Sequence, residues 1–327
     1  MSADLPVGVD NFLEQAGWGG AEIAALPGDA SFRRYFRINL NGKSAMLMDA
    51  PPPDEDPEPY LRAAKWLDAN NLRAPYIYAE DAARGLVLIE DFGEVRMREY
   101  LDQWPGDERA VYTTAVDTLA ELHRLPSGPF LDYSMAEYKR EAKLFTEWYC
   151  PAQGLTVDEP GYVRAWEQTL GELLPRQREG VCVLRDYHAE NIMLLGSLEK
   201  QGLLDFQDAL AGHKAYDLVS LLQDARRDVS PQLEAEMFDY YARKTGEGAE
   251  FLGDYARLGA QRNAKIVGIF VRLWKRDGKP RYLDYIPRVW ALLERDLTHP
   301  ALAPVTAWFK ANIPQHLREA SGGKWPQ

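Results

Sequence analysis

Three polar residues in the middle of the chain have the types and spacing that phosphoryl transfer requires. Asp186 and Asn191 lie five positions apart, and Asp205 follows fourteen positions later. Kinase-type phosphoryl transfer needs a carboxylate to accept the proton of the attacking hydroxyl. It also needs an amide and a second carboxylate to hold Mg²⁺ on the nucleotide phosphates. The order of these residues therefore predicts ATP- and Mg²⁺-dependent phosphoryl transfer.

The surroundings of these residues favour a functional interpretation over ordinary loop positions. A turn-capping aspartate or an Asx-turn pair is the alternative for an isolated match. Here a short apolar strand, 192–195, separates the two polar segments, and Asp205 follows the apolar residues 202–204. A charge at the end of a buried strand needs a partner, and a metal ion is a suitable one. We predict that Asp186 is catalytic and that Asn191 and Asp205 bind Mg²⁺.

Length and composition predict two domains and exclude several classes of partner. The chain has 327 residues, which exceeds the usual size of one core. Its net charge of -12 argues against nucleic-acid binding and against docking on anionic membranes. The N-terminus does not resemble a signal peptide, and two cysteines do not make a disulfide framework. We expect a cytoplasmic monomer that acts on a small molecule, without nucleic-acid or membrane partners.

The first 92 residues carry the pattern of a small antiparallel sheet with one long helix. An Asn-Gly pair at 41–42, between alternating segments, is typical of a hairpin with a two-residue turn. Apolar residues at helical spacing indicate the long helix. The predicted elements are a short helix at 9–16, strands at 33–39, 43–49, 74–79 and 85–90, and a helix at 58–70.

Helical patterns dominate after residue 95 and are interrupted by the polar segment 185–214 with its short strands. The predicted helices cover 107–124, 134–149, 160–178, 215–227, 230–245, 252–275, 282–297 and 300–312. The sequence thus predicts an α+β fold, with a sheet-rich nucleotide-binding lobe at 1–92 and a helical catalytic and substrate-binding lobe at 93–327. Clefts between lobes are common ligand sites.

On these motifs the chain resembles the aminoglycoside phosphotransferase family, whose members share the fold of protein kinases. The resemblance covers about residues 20–275. It implies a two-lobed protein-kinase-like fold with an antiparallel N-lobe. The matching segments, in order, are 27–35 for the phosphate-binding turn, 88–93 for the adenine-binding hinge, 185–191 for the catalytic loop, Asp205 for the metal aspartate and 215–218 for a structural motif.

The resemblance also implies which residues bind the nucleotide. Gly28, Ser31 and Phe32 belong to the turn that brings backbone N–H groups to phosphate oxygens. Glu90 and Phe92 would contact adenine through backbone groups. Three positions depart from the family pattern: Met48 stands where the phosphate-binding lysine is expected, Leu184 where the catalytic loop often opens with histidine, and Gln207 where glycine is common.

The register of the hairpin offers a substitute for the missing lysine. A turn at 41–42 pairs Tyr35 with Met48, and Arg33 lies two residues from Tyr35 on the same face. Arg33, and with it Arg37, would then face the nucleotide, where arginine can hold phosphate by bidentate hydrogen bonds. The alternative is a solvated basic edge, and both interpretations of Arg33 stay open at this point.

Within the family, segments 202–209 and 216–227 look closest to bacterial cell-wall amino-sugar kinases. That resemblance implies phosphorylation of the anomeric hydroxyl of N-acetylmuramate and N-acetylglucosamine in peptidoglycan recycling. A carboxylate-bearing sugar favours arginine in its site, so Arg227 and Arg262 are predicted to bind substrate. Asp186 is predicted to bind it through the attacking hydroxyl. The alternative for the basic residues of this lobe is a solvated face with salt bridges. His188 and Asp217 are interpreted as structural. An aminoglycoside or choline-type kinase, or a catalytically dead nucleotide-binding protein, remains an alternative.

Overall fold

The computed structural model describes residues 5–27, 33–177 and 180–325. These residues form two compact units. The sheet unit comprises Met1–Pro105 and Glu190–Ala209, and the helical unit comprises Gly106–Ala189 and Leu210–Gln327. The chain therefore enters the sheet unit twice, the second time with the segment that carries Asn191 and Asp205. The functional division expected at residue 92 stays a prediction.

The sheet unit is built on five antiparallel strands in the order β1-β2-β3-β5-β4. The hairpin predicted around 41–42 is confirmed, because Leu40 pairs with Lys43 and Tyr35 with Met48. Strand β1 was not predicted, since its four residues show no alternation. The elements of this sheet and its helices are α1 (Val9–Gln15), β1 (Glu22–Ala25), β2 (Arg34–Leu40), β3 (Lys43–Asp49), α2 (Glu58–Ala69), β4 (Ile77–Asp81), β5 (Leu86–Glu90) and α3 (Met97–Gln103).

The two faces of the sheet have different surroundings. Phe36, Leu47 and Leu88 lie on one face and pack with Phe12 of helix α1 in a buried apolar cluster. Alternation along β2 places Tyr35 on the opposite face. Burying one face against α1 fixes the register, because a slip of one residue would turn the apolar side chains outward.

A second hairpin, formed by β7 (Ile192–Leu194) and β8 (Gln201–Leu203), completes the sheet unit. The Leu203 N–H donates to the Arg73 carbonyl at 2.8 Å, and Met193 forms a bridge with Arg96. Gly202 lies against the ring of Phe92, where an added Cβ would come within 2.5 Å of the ring carbons. Only glycine therefore lets this hairpin approach the segment after β5.

The helical unit is organised around one long buried helix. Its helices and strands are α4 (Glu108–Leu122), α5 (Met135–Ala142), α6 (Cys150–Ala152), α7 (Glu159–Gly171), β6 (Val181–Val183), β9 (Leu210–Gly212), α8 (Ala215–Leu222), α9 (Pro231–Thr245), α10 (Glu250–Asp277), α11 (Ile286–Asp296), α12 (Ala303–Asn312) and α13 (Gln315–Glu319). Gly268 of α10 lies so close to Leu144 that a Cβ would meet its backbone at 2.3 Å. This contact lets α10 cross the segment after α5.

Three predicted helices end earlier than the sequence pattern indicated, and the one predicted at 215–227 stops at Leu222. The helix predicted at 134–149 stops at Ala142, and Phe145–Tyr149 forms a π-helical turn. The helix predicted at 160–178 stops at Gly171, before Pro175, whose ring and missing N–H do not suit a helix interior. Strand β9, which pairs antiparallel with β6, lies in the segment expected to be polar loop and short strands.

Candidate active site

Asn191 and Asp205 come together in the sheet unit because β7 and β8 are paired. Asn191 directly precedes β7, and its carbonyl accepts the Leu204 N–H at 2.9 Å. This backbone bond brings the next side chain, Asp205, beside Asn191, whose Nδ2 lies 3.2 Å from Asp205 Oδ2. Asp205 has a left-handed backbone with φ of 58°. Strained backbone of this kind is common at functional sites.

These side chains fit the donor set that Mg²⁺ requires. An aspartate carboxylate and an asparagine amide offer oxygen ligands, and Mg²⁺ usually takes few protein ligands and completes its shell with waters and phosphate oxygens. Gln207 Nε2 donates to Asp205 Oδ1 at 2.6 Å, so the residue that departs from the family pattern orients the carboxylate. Among residues 5–27, 33–177 and 180–325, no cluster of three or more His, Cys, Asp or Glu could hold a metal ion by itself.

The segment predicted to bind adenine is held by an arginine. Arg73 binds both carboxylate oxygens of Glu90, at 2.8 and 2.5 Å, and its guanidinium lies 4.7 Å from the centre of the Phe92 ring. The Glu90 side chain thus serves a structural role, in keeping with the prediction that only backbone groups of this segment would serve the adenine. The adenine contacts of Glu90 and Phe92 stay predictions.

The predicted phosphate-binding turn lies mostly outside the described residues, which omit Gly28, Ser31 and Phe32. Arg33 is described: its Nε lies 3.2 Å from Glu55 Oε2. Arg37, by contrast, pairs with Asp91 at 2.9 Å and with Glu94 at 2.6 Å. Arg37 therefore stabilises the connector after β5.

In the helical unit, the loop that carries Asp186 is anchored through its backbone. The Leu184 and Arg185 N–H groups donate to the two oxygens of Asp217 at 2.6 and 2.8 Å. Arg185 has a φ of 72°, so this anchor holds a left-handed residue directly before Asp186. Asp217 is fully buried, which raises its pKa to about 7 although the two N–H groups favour the ionised form. These bonds agree with the structural interpretation of Asp217.

A second aspartate supports the far end of the same loop. Asp224 accepts the Ala189 N–H at 3.2 Å and the Arg226 N–H at 2.8 Å. His188 is also buried, and its Nε2 lies 3.0 Å from Arg226 Nη1. Burial lowers the pKa of His188, so its imidazole is neutral near pH 7 and does not suit a cationic role. These contacts agree with a structural role for His188.

Asp186 lies in a strongly cationic environment. Arg262 Nη2 is 3.9 Å from Asp186 Oδ1 and donates to Ser220 Oγ at 2.8 Å. Burial disfavours the ionised carboxylate, but the positive charges of Lys265, Arg262 and Arg185 outweigh it and lower the Asp186 pKa. The side chain is nevertheless 45% exposed. An ionised and accessible carboxylate of this kind can orient a substrate hydroxyl.

The cations around Asp186 are themselves held by a buried acid that the sequence analysis missed. Glu141 of α5 binds Arg185 and lies 2.8 Å from Lys265 Nζ. Its pKa falls to about 2, because Lys265 and Arg185 outweigh the effect of burial. The sequence held one signal of this charged cluster. Arg262 and Lys265 are three positions apart on α10, and residues at that spacing share a helix face.

The two arginines predicted to bind substrate have different surroundings. Arg262 is 3% exposed, and its Nη1 is buried without a hydrogen-bond partner among the described residues. Arg227 instead pairs with Glu108 at 2.6 Å and lies 3.3 Å from the Tyr112 hydroxyl. The geometry therefore brings Arg262 to Asp186, whereas Arg227 already has an acidic partner. Their roles in substrate binding stay predictions.

The whole-chain comparisons agree with this chemistry. A family model described as "Phosphotransferase enzyme family" matches residues 22–258. The chain belongs to this phosphotransferase family. Relatives named N-acetylmuramate/N-acetylglucosamine kinase include one from Caulobacter vibrioides, 35% identical over 97% of this chain and 99% of its own. Another, from Pseudomonas aeruginosa, is 36% identical over 91% of each chain.

Solved structures with the same fold include other phosphotransferases. The aminoglycoside phosphotransferase APH(2'')-Ib with bound ADP is 16% identical, with a TM-score of 0.57 over 83% of this chain and 92% of its own. The choline kinase LicA from Streptococcus pneumoniae is 13% identical, with a TM-score of 0.63 over 89% of this chain and 97% of its own. The predicted α+β, protein-kinase-like fold is confirmed.

The predicted enzyme class is confirmed as well. This phosphotransferase is a kinase that uses a nucleotide and acts on a small molecule. No helix in the described part of the phosphotransferase is long and apolar enough to cross a membrane.

Proposed function

We propose that this phosphotransferase transfers the γ-phosphoryl group of ATP to the anomeric hydroxyl of N-acetylmuramate and N-acetylglucosamine, in peptidoglycan recycling. The observation that carries the proposal is the nearly full-length similarity to relatives that bear this substrate pair in their name. The cations around Asp186 support it further, since N-acetylmuramate carries a carboxylate that an arginine can bind.

In the proposed reaction, Asp186 orients the C1 hydroxyl for attack in line with the leaving ADP. The sugar oxygen bonds to the γ-phosphorus as the bond from that phosphorus to the bridging oxygen of ADP breaks. The hydroxyl proton passes to Asp186. Its lowered pKa suits a late proton transfer, because a loose transition state places little demand on the basicity of the acceptor.

The remaining roles follow from the chemistry of each group. Asn191 and Asp205 would hold Mg²⁺, which neutralises charge on the phosphates when it is bound. Backbone groups of Glu90 and Phe92 would contact adenine. Arg262, whose buried Nη1 has no hydrogen-bond partner within the described part of the chain, would bind a substrate oxygen. Arg227 would bind substrate only if it exchanges Glu108 for the sugar carboxylate.

The phosphate side of the nucleotide would be served by Gly28, Ser31, Phe32 and Arg33. The net charge of -12 supports the further proposals of no nucleic-acid and no membrane partner. We also propose a cytoplasmic monomer with its nucleotide-binding lobe at residues 1–92 and its catalytic lobe at 93–327.

The test is direct phosphorylation by the full chain with Mg-ATP, using N-acetylmuramate, N-acetylglucosamine, kanamycin and choline as separate acceptors. We expect turnover of the two amino sugars and a product whose phosphate is on C1 by ³¹P–¹H correlation. Turnover of kanamycin or choline alone would replace the amino-sugar proposal by one of its rivals. Nucleotide binding without turnover of any acceptor would favour a catalytically dead protein.

A further inference from the structure

Strand β3 does not present a cation where a kinase of this fold carries its phosphate-binding lysine. Met48 occupies that position opposite Tyr35 and is completely buried. Lys43, at the other end of β3, directly follows the turn of the hairpin and is exposed. Within the sheet unit, a cation for the phosphates of a bound nucleotide would therefore have to come from an element other than β3.

Arg33 has the geometry of a fixed rather than a solvated cation. It precedes β2 by one residue and shares a face with Tyr35. Its ion pair with Glu55 spans 3.2 Å, and both side chains are only 16% exposed. The next residue, Arg34, lies on the opposite face, where it binds Asp49 at 2.5 Å and is 44% exposed.

The Arg33–Glu55 pair lies next to the turn that carries Asp205. Tyr60, in the first turn of α2, stacks on Phe206 with ring centres 5.1 Å apart. This packing brings the segment that contains Glu55 close to the residue after Asp205. Burial lowers the pKa of Arg33, but Tyr35, Glu55 and Asp208 together raise it, so the guanidinium is charged beside that turn.

We propose that Glu55 is a positioning residue that holds Arg33 as the phosphate-binding cation of the nucleotide site. The pair does the work of the lysine–glutamate ion pair of protein kinases, but both partners come from other places in the chain. Arg33 directly precedes β2, and Glu55 lies in the loop before α2. The inference rests on the proposed use of ATP and adds the residue that positions its phosphates.

The chemistry of arginine explains how such a pair can work. Glu55 contacts Nε of Arg33, which orients the planar guanidinium and directs its two Nη groups as a fork. A fork of this kind matches two phosphate oxygens, whereas a lysine provides a single point charge. An ion pair that is largely shielded from water also restricts a long side chain before the ligand arrives, which lowers the entropic cost of binding.

The experiment measures binding of ATP, ADP and AMP to the full chain by isothermal titration calorimetry with Mg²⁺ present. Arg33→Ala should weaken ATP and ADP binding about 10- to 100-fold, the range for a lost hydrogen bond to a charged group. AMP binding should stay within about twofold. Glu55→Gln should weaken ATP binding about two- to fivefold, the scale of a partly exposed ion pair, again without affecting AMP.

Arg62→Ala is the matched control, since Arg62 is an exposed arginine of α2 in the same unit. It should leave all three affinities unchanged. Arg33→Lys keeps the charge and should lose less ATP affinity than Arg33→Ala. Unchanged AMP binding in Arg33→Ala shows that the variant is folded. ATP affinity that is unchanged in Arg33→Ala would overturn the inference.

Tighter ATP binding in Glu55→Gln would also overturn the inference, because Glu55 would then compete with phosphate for Arg33. These outcomes are separate from the acceptor assay. If the wild type phosphorylates amino sugars and Arg33→Ala binds ATP as tightly as the wild type, the proposed function stands and the proposed role of the Arg33–Glu55 pair is wrong. If the wild type phosphorylates no amino sugar and Arg33→Ala binds ATP more weakly than the wild type, the proposed role of the pair stands and the proposed function is wrong.

Discussion

The two units hold their site carboxylates with different kinds of group. In the helical unit, cations surround Asp186: Arg262 lies 3.9 Å away, and Lys265 contributes to its lowered pKa. In the sheet unit, Asp205 accepts hydrogen bonds from the neutral amides of Asn191 and Gln207. Fixed cations stabilise the ionised form of a carboxylate, whereas amides orient it without cancelling its charge.

This difference matches the two tasks proposed for the residues. A carboxylate that is kept ionised by protein cations can accept a hydrogen bond from a neutral hydroxyl and remain in place throughout the reaction. A carboxylate oriented by amides keeps its charge for a ligand cation. The partners of an aspartate, rather than the aspartate itself, decide between these two roles.

The largest effect is expected at Asp186. Asp186→Asn should lower kcat at least about a hundredfold, the scale of a positioned acid–base group. Binding of Mg-ADP should stay within about twofold, since Asp205 and Asn191 are intact. Steady-state kinetics and calorimetry measure the two quantities. Asp284→Asn, at an exposed aspartate of the same unit, is the control. Unchanged turnover in Asp186→Asn would show that the ionised carboxylate in the helical unit does not serve the reaction.

The next effect tests the amide side of the comparison. Gln207→Ala removes the 2.6 Å bond to Asp205 and should raise the Mg²⁺ concentration needed for half-maximal activity about tenfold, the scale for an outer-shell metal partner. Magnesium titrations at fixed ATP measure this shift. Gln103→Ala, at an exposed glutamine of the sheet unit, should behave as wild type. If the two variants require the same Mg²⁺ concentration, Gln207 does not orient the metal ligand.

A smaller effect is expected where the loop of Asp186 is anchored. Asp217→Asn can offer only one oxygen to the Leu184 and Arg185 N–H groups, so one buried donor loses its partner. The free energy of unfolding should fall by about 1–3 kcal/mol, measured by urea denaturation. kcat should fall too, because the residue before Asp186 is no longer held. Full stability with full activity would show that the anchor is dispensable.

The smallest effect concerns Asp296, which lies in the same unit as Asp186 but has amide partners. Like Asp205, it accepts bonds from amides, here Gln223 at 3.0 Å and Asn263 at 3.2 Å, but it is buried. Burial raises its pKa to about 8, although Arg295 and the two amides lower it. Burial therefore leaves this carboxylate protonated near neutral pH despite its amide partners, whereas cations keep Asp186 ionised.

Because the folded-state pKa of Asp296 exceeds its unfolded value, the folded protein holds a proton that the unfolded chain releases. Its contribution to stability is therefore lost as the pH rises through about 4 to 8. The loss between pH 6 and 7 should be at most about 1.4 kcal/mol. Asp296→Asn should show a flatter decline over this interval in urea denaturation. Identical slopes for the variant and the wild type would mean that Asp296 is ionised in the folded state.

Much of the sheet unit could be predicted because its signals are local. The Asn-Gly turn fixed the register of β2 and β3, and with it the pairing of Tyr35 with Met48. Helix ends were less predictable: the π-helical turn at Phe145–Tyr149 follows α5 where Gly268 of α10 approaches Leu144. A contact between segments more than a hundred residues apart has no trace in local periodicity.

The reactive groups, their order and the family of the chain can be read from the primary structure, because carboxylate and amide types at fixed spacing are properties of the sequence. The partners of those groups depend on the folded chain. Glu141 beside Lys265, Glu55 beside Arg33 and Gln207 on Asp205 depend on packing and backbone geometry. Such contacts arise from many weak interactions across the fold, and these set the charge and orientation of each reactive group.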